Sequence, residues 1–264
     1  MRRSRASRAI LSIRGRGSRG ARWVLRLIGA ALAAVLLWFA VNWVYQVVRK
    51  PSELLFPVGA FTKSPRETWG SYGAIFRRYS TRTITPELLA ALAQTEGSGS
   101  PLARTYWRWS WSSRPFEIYR PASSSVGMYQ MTDGTFAEAK RLCIREHEAI
   151  QAGAGNPGSS CGTNPLYVRL LPSHAVELTA AYLDRAVAVT LARNRIVSAS
   201  PRQQRHLAAA IHLCGAHGGD LYARSGFQFA AGQRCADHDP RGYLSRVDAF
   251  ETEFRRLAAR DRDT

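Results

Sequence analysis

What most constrains this chain is a stretch of 22 residues, "LIGAALAAVLLWFAVNWVYQVV" from Leu27 to Val48, that contains no charge. As a helix rising about 1.5 Å per residue it would be about 33 Å long, enough to cross the hydrocarbon of a bilayer. Trp38, Phe39, Trp43 and Tyr45 fall round all its faces, which does not suit a helix packed on one side of a soluble core. A cleavable leader is the competing reading. Its apolar part would be about 7 to 15 residues and end at a small-residue cleavage site, whereas this run continues through Trp43 and Tyr45. We expect an uncleaved transmembrane helix over 27–48.

Charge gives that helix a direction. Eleven of the 37 basic residues and none of the 19 acidic ones lie in residues 1–50, so of the net +18 only +7 remains beyond Lys50. Eight arginines up to Arg22, with Arg26 just inside, favour a cytoplasmic N-terminus that can also meet anionic lipid heads. The rest of the chain then faces outward. Its modest positive balance argues against nucleic acid as a partner and suits anionic polymers equally well.

At 264 residues the chain has room for one sizeable domain plus appendages. We divide it into a basic N-terminus (1–26), the membrane helix (27–48), a stalk punctuated by Pro51, Pro57, Gly59 and Pro65 (49–67), and a folded domain (68–264). Helical spacing of apolar residues marks Thr135 to Ala149, His174 to Ile196, Arg202 to His212 and Arg241 to Ala259. Alternation at period two is scarce, with "RWSWS" at 108–112 as a short strand or an aromatic-lined loop. The expected fold class is mainly α.

Four cysteines, Cys143, Cys161, Cys214 and Cys235, lie in the outward part. Nearest-neighbour disulfides, Cys143 to Cys161 and Cys214 to Cys235, would each close a modest loop for about 2 to 4 kcal/mol. Other pairings are open to four cysteines. A zinc site is the alternative, because Cys214 with His217 and Cys235 with His238 repeat a C-x-x-H spacing. Disulfides are the commoner fate outside the cytoplasm, and no metal or other cofactor is expected.

One acid stands out. In "TPELLAALAQTEGSGSP" Thr85 suits an N-cap, Pro86 the first helical position and Glu87 the positive end of the helix dipole. Leu88, Ala91, Leu92 and Thr95 share a face, and Glu96 follows that stripe at the end of the helix, where a cation would suit the dipole better. A half-desolvated carboxyl is pushed towards its neutral form, the form that can protonate a glycosidic oxygen.

The next segment makes the pattern resemble a family. "SSSVGMYQMTDGTFAEAKRL" places Gly127, Met128, Tyr129 and Gln130 where the soluble lytic transglycosylases, lysozyme-like enzymes, have G-L-M-Q, followed by a helix start with Thr135. In that alignment Glu96 is the catalytic Glu. "AAAIHLCGAHGG" is a weaker counterpart of the family's A-Y-N-A-G segment, with His212 at the aromatic position, and "GYLSRVDAFETEF" puts Tyr243 at a recurrent Tyr. Two departures stand out: Gly97 where Ser usually follows the Glu, and a long separation between Glu96 and Gln130, filled with Trp107, Trp109 and Trp111.

The resemblance implies a lysozyme-like domain behind the transmembrane helix, held in a bacterial inner membrane and working in the periplasm on peptidoglycan glycan strands. It implies that Glu96 alone cleaves the bond between N-acetylmuramic acid and N-acetylglucosamine, giving a 1,6-anhydro sugar, with Met128, Tyr129, Gln130, His212 and Tyr243 as substrate contacts. The tryptophans would stack on sugars or pack as a cluster of their own. A two-carboxylate hydrolase would instead need Glu117 or Asp133 about 5 to 9.5 Å from Glu96. The alternative function is a lysozyme-fold module without turnover that binds glycan or joins an envelope protein complex.

Overall fold

The apolar run lies inside a longer helix. In a computed structural model, which describes residues 6–50, 53, 61–151 and 166–263, helix α1 spans Ala6–Arg49. Its segment Gly20–Arg49 is long and apolar enough to cross a membrane. The chain forms two compact units: α1 with the segment Arg108–Arg120, and the remainder, residues 54–107 with 121–264. Seven α-helices occur among the described residues, and the protein is mainly helical, as the sequence led us to expect.

The second unit is built round α3 (Pro86–Gly97). Thr85 caps it by accepting from the Leu88 amide, with Pro86 in the first turn. Leu88 to Gln94 are buried on every face, where the sequence suggested a single buried stripe. The reason is composition: from Leu88 to Ala93 there is no polar side chain to give a wet face, so neighbours can close in from all sides. They are α2 (Pro65–Tyr79), α5 (Pro172–Arg193) and α7 (Pro240–Asp263). Gln94, the first polar residue, donates to the Lys63 carbonyl at 2.9 Å and accepts from the Thr68 hydroxyl at 2.8 Å. Its burial therefore leaves neither end of the amide unpaired.

Helix α2 begins where the stalk was expected to end. Ser64 and Glu67 form a capping box, each side chain accepting from the other's backbone amide. Trp69 on α2 stacks near Phe76 and Phe254, and its indole N–H donates to Asp261 Oδ2 at 2.7 Å, fastening α7 across the core. Helix α6 (Pro201–Arg224) runs on well past the expected end at His212, packing on α5 and α7. It is broken at Gly215 (φ 71°, ψ 177°), a conformation that strains any residue with a Cβ.

Two short antiparallel pairs are also present. β1 (Trp107–Trp109) and β2 (Tyr119–Pro121) lie almost wholly within the Arg108–Arg120 segment of the first unit. β3 (Leu142–Arg145) and β4 (Glu148–Gln151) pair with Arg145 opposite Glu148. This second hairpin corrects the helix expected over Thr135 to Ala149, because the helix, α4 (Asp133–Ala139), is only seven residues long. The chain turns back through Glu146 and His147, both at positive φ. His147 Nδ1 holds that turn by donating to the Ser80 carbonyl at 2.7 Å, while Leu142 and Cys143 are buried.

Cys214 and Cys235 form a disulfide, which removes both thiolates that the zinc alternative required. Cys143 is disulfide-bonded as well. The expected pairing with Cys161 lies outside the described residues.

Candidate active site

Helix α3 ends by exposing part of the one acid that its apolar face delivers. Ser98 takes a left-handed conformation (φ 48°), and the amides of Ser98 and Gly99 close back on the carbonyls of Gln94 and Ala93 at 3.1 Å each. That termination leaves Glu96 in the last turn, its side chain 18% exposed, between the dry body of α3 and solvent.

Two residues from distant helices reach it. Tyr243, in the first turn of α7, donates its phenolic proton to Glu96 Oε1 at 2.6 Å. His212, on α6 three residues before the break at Gly215, holds Nε2 3.6 Å from the same oxygen, a contact too long to count as a hydrogen bond. Tyr129 stands edge-on to the His212 ring with centroids 6.5 Å apart. Burial, then the negative charge of Glu96 and the hydrogen bond to it, holds the Tyr243 phenol well above its ordinary pKa. Tyr243 is therefore a fixed donor, and it occupies Oε1 of the carboxyl group.

The other wall is the loop Gly127–Gln130. Val126 and Met131 pair as an antiparallel bridge, and Gln130 turns the loop at positive φ. The Gln130 side-chain amide donates to the carbonyls of Ala103 (3.0 Å) and Gly127 (2.9 Å), so it shapes the loop from within. Arg169 grips the loop from outside. One nitrogen of its guanidinium donates to the carbonyls of Ser124 and Met131, and the other pairs with Asp133 at 2.7 Å. No local sequence pattern marks Arg169, and the sequence reading missed it.

The departure at Gly97 has a packing cause. A Cβ there would lie 2.9 Å from both the Cα and the carbonyl oxygen of Met128, and 3.1 Å from the Ala103 Cβ. The loop backbone rests directly on the end of α3, and only glycine leaves room for it.

Glu96, His212 and Tyr243 thus come together, with Gln130 half-buried on the adjoining loop. Met128 and Tyr129 do not contribute as expected, which corrects their assignment as substrate contacts. Both belong to the hydrophobic core with essentially no exposed surface, and the Tyr129 hydroxyl donates to the Leu89 carbonyl at 3.1 Å. They support the site from beneath. Neither candidate second carboxylate is free: Asp133 is paired with Arg169, and Glu117, in the first unit, is buried against Arg49, Arg114 and Arg120. Among the described residues no cluster of His, Cys, Asp or Glu suits a metal ion. We compared the chain with protein families and with curated proteins, and nothing in either matches it.

Proposed function

We propose that this is a membrane-anchored, lysozyme-like lytic transglycosylase that cleaves the β-1,4 bond between N-acetylmuramic acid and N-acetylglucosamine in peptidoglycan. The observation that carries the reading is the single carboxyl group of Glu96, presented at the end of a buried helix with its Oε1 occupied by Tyr243. Its Oε2 proton passes to the glycosidic oxygen as the bond to C1 breaks, and the sugar's own acetamido group steadies the positive charge on C1. The carboxylate left behind then takes the proton of the muramoyl 6-hydroxyl as that oxygen closes on C1. The result is a 1,6-anhydro end with the same acid returned to its starting state.

Tyr243 matters at both steps. Its hydrogen bond steadies the carboxylate once the proton has left, and fixes which oxygen faces the sugar. His212 lines the same side and would meet the sugar or the departing hydroxyl. A one-acid mechanism also accords with the engagement of Asp133 and Glu117 elsewhere. The close fit of Gly97 to the loop gives its replacement of serine a structural reason, so the exchange is no sign of lost turnover.

In this reading α1 anchors the protein in the bacterial inner membrane, with its arginine-rich N-terminus in the cytoplasm and the helical unit in the periplasm. The test is mass spectrometry of soluble products after the full chain, in detergent, is incubated with purified peptidoglycan beside its Glu96→Gln variant. Anhydro-muropeptides released by the parent and absent with the variant are expected. Reducing-end products would make it a hydrolase, and no products from a folded protein would leave a glycan-binding module.

A further inference from the structure

We propose that the segment Arg108–Arg120 is an interfacial collar, an aromatic and basic loop that lies along the outward end of α1 and binds the headgroup zone of the outer leaflet. The proposal rests on α1 crossing a bilayer. Its starting point is a change in how α1 is covered. Residues 20–37 are exposed on every face and rise about 27 Å; Arg22 and Arg26, in the first two turns of this stretch, can carry their charge back to the cytoplasmic headgroups on long stems, so the span expected over 27–48 shifts towards the N-terminus.

From Trp38 onward one side of the helix is occupied. Trp38 stacks on Trp109 (6.4 Å, 11°), and Phe39 meets Trp109 and Tyr119 edge-on. Asn42 donates to the Tyr119 carbonyl at 2.8 Å and Gln46 to the Phe116 carbonyl at 2.5 Å. Tyr45 packs on Phe116, and Arg49 pairs with Glu117 at 3.3 Å. The two polar residues of the apolar run, Asn42 and Gln46, are thus buried against the loop they hold.

An irregular backbone cannot lie in hydrocarbon facing lipid, because its amides and carbonyls would lose water without gaining partners. The dry zone must therefore end near Trp38, with the loop in the wetter layer above. The loop's outer face has the chemistry of that layer. Trp109 is 64% exposed and Trp111 105% exposed, beside exposed Arg108 and Arg114. Glu117, its sole acid, is covered by Arg49, Arg114 and Arg120, so what the loop offers outward is indole and positive charge. Indole rings favour the interface between hydrocarbon and water, and guanidinium groups meet lipid phosphates there.

The experiment uses the full chain in phosphatidylglycerol–phosphatidylethanolamine vesicles, its native disulfides left intact. An uncharged environment-sensitive fluorophore is placed on one new cysteine at a time: Trp111→Cys, Leu32→Cys within the bare part of α1, and Val197→Cys on the fully exposed surface of the second unit. The label at 111 should be quenched by lipids brominated near the top of their acyl chains, within about twofold of the quenching of the label at 32 by deeply brominated lipid. The label at 197 should respond only to aqueous iodide.

Lipid quenching at 32 together with iodide quenching alone at 111 would overturn the collar and leave the anchor standing. Protection at 111 from both quenchers would overturn it too, in favour of a protein contact. Absence of lipid quenching at 32 would show that the anchor reading is wrong, and the collar falls with it.

Discussion

Helices α1 and α3 each contain a stretch that is apolar on all sides, and the two stretches meet opposite fates. From residue 20 to residue 37 α1 is exposed throughout, whereas Leu88 to Ala93 of α3 touch no solvent. The difference teaches that hydrophobicity alone does not say what will cover a helix. Length and flanking charge do: α1 is long and bordered by arginines, while α3 is twelve residues long and capped at Thr85. Both also carry a buried amide that donates to a backbone carbonyl, Asn42 and Gln46 in one and Gln94 in the other. Glu96 is the exception, an acid that its helix leaves half-covered.

The sharpest way to break this comparison is to cut the same side chain in each helix. Leu89→Ala, in the closed core, should cost about 2 to 5 kcal/mol, seen as a large drop in the melting temperature of the full chain in detergent. Leu32→Ala should leave that melting temperature unchanged, since the side chain is largely exposed. Equal losses would mean that α1 is a core helix after all.

Activity comes next. Tyr243→Phe keeps the ring but removes the donor to Glu96, so kcat should fall about 10- to 100-fold, in line with the loss of about 1.5 to 3 kcal/mol from a hydrogen bond to a charged group. An unchanged kcat would demote Tyr243 to packing. The same variant carries a pH signature. A phenol whose folded pKa is raised contributes stability that is complete below its unfolded pKa of about 10 and is lost as pH climbs towards the folded value. The parent should therefore lose stability above about pH 10, and Tyr243→Phe should lose less of it, in denaturant titrations on either side of that pH.

Gly97→Ser should cost about 1 to 3 kcal/mol, because the loop at Met128 must withdraw to admit a Cβ. Product release should slow with it; restored or higher activity would show that the loop yields freely. The smallest effect belongs to Arg169→Ala, which frees the carbonyls of Ser124 and Met131 and leaves the helix untouched. It should raise KM several-fold, by the loss of about 1 kcal/mol, with little change in kcat.

What could be read from the sequence was what neighbours in the chain decide together. The cap at Thr85 and Pro86, the starts of the helices near His174, Arg202 and Arg241, and Glu96 at a helix end all rest on contacts within a few residues. The turn at Glu146 and His147 was hidden because Glu146 is not a usual occupant of positive φ, and what holds it, the Ser80 carbonyl, lies 67 positions away. Met128 and Tyr129 looked like ligand contacts because sequence does not distinguish a residue that lines a site from one packed beneath it. Arg169 and the space constraint on Gly97 appear only when loop and helix are brought together. The grip of Asn42 and Gln46 on Phe116 and Tyr119 has the same character, since it joins positions 70 and 77 apart.

The hydrogen bond between Tyr243 and Glu96 spans 147 positions of a chain that is synthesised from one end. The acid emerges well before its partner, which belongs to α7, the element most extensively packed on α3. A ribosome that stalls before residue 243, or a protease that removes α7, leaves a carboxyl group without its donor and a core open along one side. Under the proposed chemistry a copy without α7 is harmless to the wall, and the ability to cut waits until residue 243 has been made and packed.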